Sequence, residues 1–127
     1  MNIKFSKVGS RPYDKLLPDN FKEGNLFTTF RAYTAKKDTY YSSCMNKEFY
    51  VLFDNKTIGK ATLVNKEYKW SSDLTLEDIK RDTFKEWQRS NFEDLMYNFY
   101  GNYKVFGFWL VFQINKVGQL NKTLESF

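Results

Sequence analysis

The residue types best suited to chemistry are concentrated in the stretch FRAYTAKKDTYYSS, residues 30–43. Arg31 ends an apolar strand pattern, and a guanidinium held by a carboxylate suits recognition of a phosphate or a base edge. Lys36 and Lys37 can neutralise phosphates. The neighbouring tyrosines can stack on unpaired bases, at roughly 1–3 kcal/mol per base. These tyrosines are Tyr33, Tyr40 and Tyr41. The combination predicts a site for RNA or another nucleic acid.

The same residues also have a purely structural interpretation. The chain contains nine tyrosines, so those of this stretch can instead pack locally. Arg31 can form an internal ion pair with Asp82 or Glu86, two acidic residues in a later segment. Composition alone leaves both interpretations open.

The positive charge of the chain lies close to this stretch. The net charge is +5, and residues 1–47 hold nine Lys and Arg against four Asp and Glu. Residues 48–102 hold eight against ten. The positive field therefore lies in the N-terminal third, which favours a polyanionic partner, although many basic proteins bind none.

Cysteine and histidine counts exclude several classes of site. Cys44 is the only cysteine, so an internal disulfide is excluded. The absence of histidine excludes a zinc finger, a histidine-based triad and a histidine general base. We therefore expect no metal and no cofactor. No apolar run approaches the roughly 20 residues that span a bilayer, and the N-terminus lacks a signal-peptide core. We expect a reduced, cytoplasmic protein.

The elements that must position the candidate residues begin with strands. MNIKFSK and NLFTTFRAY each predict one, and residues 34–47 are predicted to form a long polar loop, a kind of segment that is often functional or mobile. EFYVLFD and KTIGKATLVN predict a hairpin that turns at residues 54–56. Gly59 marks a bulge or a close approach of backbones.

Two helices and a last strand follow. DLTLEDIKRDTF predicts a helix with a capping box between Thr75 and Asp78. RSNFEDLMYNFYG predicts a second helix, which Gly101 ends. The apolar face of that helix comprises Phe92, Leu95, Met96 and Phe99. YKVFGFWLVFQI is nearly apolar throughout and predicts a central strand.

The order of these elements predicts an α+β fold, a small barrel-like sheet with two or three short helices. One domain is expected to span residues 1–127, with a loosely ordered tail at 115–127.

Four segments, in this order, resemble an ASCH domain, a member of the PUA-like β-barrel superfamily. DNFKEGNLFTTFR resembles the family's opening, in which a short helix and a glycine lead into a Lys-Thr-x-Thr-x-Arg strand. EFYVLFDNKTIGKATLV resembles the hairpin that follows, and DLTLEDIKRDTF resembles the next helix. YGNYKVFGFWLVFQI resembles the closing segment. The resemblance covers about residues 19–114 and implies a small PUA-like β-barrel.

The resemblance also implies a cleft and its residues. Thr29 matches the second threonine of the family's strand motif, Arg31 its arginine and Asp82 the acid of the helix. Leu26 stands where the family has lysine. Lys60 either points into this cleft, as strand residues there do in the family, or lies in solvent. Alternatively, Thr29 is a strand residue that points into the sheet, and Asp82 is a surface helix residue.

Three functions remain as hypotheses. The first is binding of nucleic acid, RNA in particular, in a basic, tyrosine-lined cleft. Some ASCH proteins are amidohydrolases that deacetylate modified cytidine, which would make Thr29 and Asp82 catalytic and a modified nucleoside the substrate. A threonine hydroxyl is a poor nucleophile without a base, and the family's lysine is replaced by Leu26. The third is a protein–protein adaptor of viral or mobile-element type, whose aromatic residues form the interface.

Overall fold

The described part of the chain forms five strands and three α-helices. The computed structural model describes residues 1–5, 21–53, 55–82 and 88–118, with residues 80–82 described by their backbone alone. The strands are β1 (Asn2–Phe5), β2 (Leu26–Ala32), β3 (Glu48–Phe53), β4 (Lys56–Trp70) and β5 (Phe106–Val117). The helices are α1 (Ala35–Ser43), α2 (Leu76–Asp82) and α3 (Arg89–Tyr100), and a 3₁₀ helix spans Ser71–Asp73.

The strands form one sheet in the order β1-β3-β4-β5-β2. β1 runs parallel to β3, and all other neighbours are antiparallel. The sheet curls into a half-barrel, and its two edges approach each other, because the rings of Phe5 on β1 and Phe27 on β2 lie 6.0 Å apart. The predicted α+β class with a barrel-like sheet is confirmed, as is the internal position of β5 in the sheet.

The inner face of the half-barrel carries an aromatic core. Phe27 stacks on Phe112 of β5 at 5.1 Å, and Phe49 of β3 packs edge-on against Phe112 at 5.3 Å. All three side chains are fully buried, and burial of a side chain of this size contributes about 1.5–3 kcal/mol. These contacts hold β2, β3 and β5 in place around the core.

The outer face is covered in part by α3. Phe92 of α3 packs edge-on against Phe30 of β2 at 6.4 Å, and Leu95 and Met96 are also buried, as predicted. The prediction is wrong for Phe99, which is 46% exposed. Tyr100 takes the inward position instead, and its hydroxyl accepts a hydrogen bond from the Ala32 N–H at 3.4 Å.

The predicted loop at residues 34–47 contains helix α1, so that prediction is wrong. Thr34 caps the helix, since its Oγ1 accepts a hydrogen bond from the Lys37 N–H at 3.1 Å. Tyr41 is the only buried residue of the helix. A helix with a single buried residue has no apolar periodicity, which explains why its sequence resembles a polar loop.

Several local predictions are confirmed. Thr75 and Asp78 exchange two hydrogen bonds of 3.1 Å, which form the capping box of α2. Gly101 ends α3 with φ of 76°. A Cβ at Gly59 would collide with the Lys116 carbonyl, so this glycine permits β4 and β5 to approach closely. Residues 115–117, which were predicted to begin a loosely ordered tail, belong to β5 instead; residues 119–127 lie outside the described residues.

Candidate nucleic-acid interface

Four aromatic side chains lie at one end of the sheet and are only partly covered. We call them the aromatic strip, and their exposed fractions range from 37% to 53%. They are Tyr33, Tyr68, Trp70 and Phe106. Tyr33 directly follows β2, Tyr68 and Trp70 end β4, and Phe106 begins β5.

Strand pairing brings the rings of the strip together. Trp70 lies directly opposite Phe106 in the register of β4 and β5, and the Tyr33 N–H donates to the Phe106 carbonyl at 2.9 Å. Residues at opposed and diagonal positions on one face of a sheet are within reach of each other. The Phe106 ring accordingly lies 5.3 Å from Trp70, 5.7 Å from Tyr33 and 6.4 Å from Tyr68, between centroids.

The strip rests on the core of the protein. Tyr33 and Tyr68 both contact Phe108, at 5.4 and 5.7 Å, and Phe108 is fully buried. The planes of the Tyr68 and Phe106 rings are within 4° of parallel. Exposed rings that rest on buried core residues present flat surfaces in fixed orientations, which is what stacking on a planar ligand requires.

Two lysines follow the strip residue Tyr33 in the chain. Lys36 and Lys37 follow Tyr33 closely and occupy the first turn of α1, and both are exposed. Positive charges at the N-terminus of a helix oppose the helix dipole and typically cost about 0.3–1 kcal/mol each. Locally unfavourable residues, such as these lysines at a helix N-terminus, are expected at functional sites.

A polar cluster connects α1 to the strip. The Lys66 ammonium of β4 forms an ion pair with Asp38 of α1 and donates to the Ser42 hydroxyl at 2.7 Å. The Tyr68 hydroxyl donates to the Asp38 carboxylate at 2.7 Å. The Lys66 side chain is only 8% exposed and its ammonium lies 5.1 Å from the Phe108 ring centre. One acidic residue therefore binds both a nearly buried lysine and a ring of the strip.

The charges of this cluster shift the pKa values of its members. The hydrogen bond from Lys66 and the one from Tyr68 lower the pKa of Asp38 below its usual value. Burial acts to lower the pKa of Lys66, but the hydrogen bonds and charge interactions with Asp38 and Tyr68 together outweigh it, and the pKa is raised. Both groups are held in their charged forms, so Lys66 is an ammonium and not a nucleophilic amine.

The two tyrosines of α1, Tyr40 and Tyr41, do not belong to the strip. Tyr41 is 6% exposed and packs against Phe108 at 5.9 Å, and burial raises the pKa of its hydroxyl. Its ring has no face free for a base, so the stacking role predicted for Tyr41 does not fit this placement. Tyr40 is partly exposed, but it packs against Phe49 at 6.2 Å, away from the strip.

Arg31 fastens the two edges of the half-barrel. Its guanidinium donates to the Lys4 carbonyl of β1 at 2.9 Å and lies 4.9 Å from the Phe5 ring centre. Its Nε is buried and has no acceptor in the described part of the chain. The expected pairing with Asp82 or Glu86 lies outside the described side chains.

Thr29 is 3% exposed, so its hydroxyl does not line an open cleft as expected. Strand pairing places it opposite Leu110 of β5, and Lys66 lies opposite the same residue on the other side. Two strand spacings, about 10 Å, thus separate the Thr29 and Lys66 backbones. The Lys66 ammonium bonds to α1. Asp82 ends α2, and its side chain is not described.

Lys60 lies away from the strip. Its ammonium is 3.7 Å from the Glu48 carboxylate and 5.2 Å from the ring centre of Tyr50. Its neighbour Ala61 belongs to the core, and successive strand residues face opposite sides of a sheet. The predicted approach of Lys60 to the same site is therefore not observed.

The sequence did not indicate the strip residues Tyr68, Trp70 and Phe106, or the partnership of Asp38 with Lys66. The available signal was weak: Lys66, Tyr68 and Trp70 alternate at the end of β4, which the sequence prediction ended at Asn65. Because most aromatic residues of β5 are buried, nothing in the sequence indicated that its first residue, Phe106, is exposed.

The described residues contain no group of three or more side chains able to hold a metal ion. Within that same part of the chain, none of the helices combines the length and apolar character needed to cross a membrane. Comparisons with protein-family models, with curated proteins and with solved structures gave no match.

Proposed function

We propose that this protein binds single-stranded nucleic acid, RNA in particular, by stacking unpaired bases on the aromatic strip. The observation that carries the proposal is the group of four partly exposed rings at one end of the sheet, three of which contact the fourth, Phe106. Lys36 and Lys37, three and four residues after Tyr33, are exposed on the first turn of α1.

The physical argument combines two terms. Every base has a flat face, and each base that stacks on an aromatic ring contributes about 1–3 kcal/mol. Lysines beside the rings add phosphate contacts, which release counterions and make binding salt-dependent. A sheet that presents aromatic rings to unpaired bases is a recurring means of RNA recognition. Duplexes are poorer ligands for such a surface, because their base faces are already stacked.

The half-barrel is proposed to be of the ASCH, PUA-like type. In support, the strand that ends in Arg31 pairs with the closing strand β5, and the hairpin β3–β4 is followed by a helix with a capping box. The proposed binding surface does not depend on this assignment. It uses the aromatic strip, whereas the catalytic alternative requires Thr29, which is buried.

Equilibrium binding tests the proposed function. A labelled single-stranded RNA of about twelve nucleotides, within the range of known single-strand sites, is titrated with the protein, alongside DNA of the same sequence and the matched RNA duplex. We expect the single-stranded RNA to bind and the duplex to bind more weakly. Absence of single-strand binding, or equal affinity for the duplex with no effect of strip substitutions, refutes stacking on the strip.

A further inference from the structure

Tyr68 differs from the other rings of the aromatic strip in how it is held. Its hydroxyl donates to the Asp38 carboxylate at 2.7 Å, and Asp38 is itself fixed by Lys66. Tyr68 is 53% exposed, so much of its side chain is accessible although its hydroxyl is anchored. The ring plane lies within 4° of that of Phe106.

The location of Asp38 conflicts with a simple electrostatic site for a polyanion. It follows Lys36 and Lys37 directly in α1 and lies against Lys66. A carboxylate here repels phosphates and neutralises a cation that would attract them. A different benefit must outweigh that repulsion if this surface binds nucleic acid.

We infer that Asp38 is a positioning residue for base stacking: it holds the Tyr68 ring parallel to Phe106, so that the two rings receive bases in one orientation. The inference rests on the proposed function and assigns a role to Asp38 within the same binding site. Holding a ring in its bound orientation before binding reduces the entropy lost on binding. Lys66 serves Asp38 in turn, because its ammonium keeps the carboxylate charged and in place.

If Asp38 positions Tyr68, substituting it should weaken RNA binding, whereas the loss of its negative charge would by itself strengthen RNA binding. Asp38→Asn removes a negative charge of the basic surface, so charge alone predicts tighter RNA binding. If Asp38 positions Tyr68, the variant binds RNA about three- to tenfold more weakly, because the neutral amide oxygen is a weaker acceptor for the Tyr68 hydroxyl and is no longer held by an ion pair with Lys66. The salt dependence of binding stays unchanged, since no phosphate contact is lost. Asp94→Asn on α3, at an exposed position, is the control with the same charge change and no expected loss.

Tyr68→Phe separates positioning from stacking, because it keeps the ring and removes only the hydroxyl. We expect it to reproduce the loss seen for Asp38→Asn, and the double variant to lose no more than either single one. Asp38→Glu keeps the carboxylate and restores part of the affinity. Tighter binding by Asp38→Asn, or additive losses in the double variant, overturns the inference.

A readout without RNA distinguishes failure of the inference from failure of the proposed function. In protein labelled with 3-fluorotyrosine, the ¹⁹F resonance of Tyr68 is assigned by its disappearance in Tyr68→Phe. We expect a narrow Tyr68 signal in the parent protein and a shifted or broadened one in Asp38→Asn. An unchanged signal refutes the positioning role whether or not RNA binds. Loss of ring order without any RNA binding by the parent protein refutes the proposed function instead, and with it the role of Asp38 in binding.

Discussion

Trp70 and Phe106 lie directly opposite each other on β4 and β5, with ring centres 5.3 Å apart, and both rings are partly exposed. An exposed cross-strand aromatic pair stabilises the ends of two strands and also presents a flat apolar surface to solvent. The proposed binding of bases uses this second property, so the contributions of the two rings to stability and to binding can be measured separately.

Trp70→Ala is expected to weaken binding of single-stranded RNA by about 1–3 kcal/mol, because one stacking ring is lost. The measurement is fluorescence anisotropy of labelled RNA at fixed salt, with thermal unfolding to confirm that the variant is folded. Tyr97→Ala is the matched control, since Tyr97 is a half-exposed aromatic residue of α3 outside the strip. Equal losses for the two variants would contradict a specific role of the strip.

The double substitution Lys36→Ala with Lys37→Ala is expected to reduce the salt dependence of RNA binding. Each phosphate contact on a single strand contributes about 0.7 to the slope of log affinity against log salt, so the slope should fall by about 1.4. Affinities measured over a series of salt concentrations give this slope.

A control for that double variant removes the same charge from the sheet instead of from α1. Lys60 and Lys116 lie opposite each other on β4 and β5, and Lys60 bonds to Glu48, away from the strip. Lys60→Ala with Lys116→Ala should leave the slope nearly unchanged. An equal drop in both double variants would show that binding responds only to overall charge.

Much of the sheet could be predicted because its signals are local and strong. Strict apolar patterns identified β2, β3 and β5, and the capping box of Thr75 and Asp78 located α2. Helix α1 was missed for a physical reason: it buries only Tyr41, and the polar contacts of Asp38 that hold it to the sheet come from Lys66 and Tyr68, which are distant in sequence.

The candidate site could be predicted only in part, for the same reason. Tyr33, Lys36 and Lys37 lie within five consecutive residues of the chain, and their types indicate nucleic-acid binding without knowledge of the fold. Trp70 and Phe106 join them only through strand pairing over 36 residues. An aromatic residue in an apolar strand resembles a core residue until its exposed fraction is known, so exposed and buried rings of β4 and β5 could not be separated beforehand.

Arg31→Met is expected to destabilise the protein by about 1–2 kcal/mol, because it removes a charged donor to the Lys4 carbonyl. Urea denaturation measures the free energy of unfolding, and hydrogen exchange of the Phe5 amide should become faster as β1 loosens. Lys47→Met, at an exposed position, is the control with the same charge change. Unchanged stability would show that Arg31 does not fasten the edges of the half-barrel.

Gly59→Ala is expected to destabilise the sheet by about 1–3 kcal/mol, because the added methyl group meets the Lys116 carbonyl and the Phe21 ring. The measurement is again the free energy of unfolding. Glu67→Ala, at an exposed position of the same strand, should change it by less than about 0.5 kcal/mol. If Gly59→Ala is as stable as the parent protein, the space between β4 and β5 at this point accommodates a methyl group.

The ion pair of Asp38 with Lys66 is expected to make stability depend on pH at both extremes. The folded-state pKa of Asp38 is lowered from 3.8, so its contribution is fully present above that value and is lost as pH falls through the lowered pKa. The folded-state pKa of Lys66 is raised from 10.5, so its contribution is present below that value and is lost as pH rises through the raised pKa. Unfolding free energies of the parent protein and Asp38→Asn, measured from neutral pH downward, should differ at neutral pH and converge in acid. Asp94→Asn provides the baseline for an exposed carboxylate, and a constant difference down to the lowest pH would mean that the Asp38 charge contributes nothing to folding.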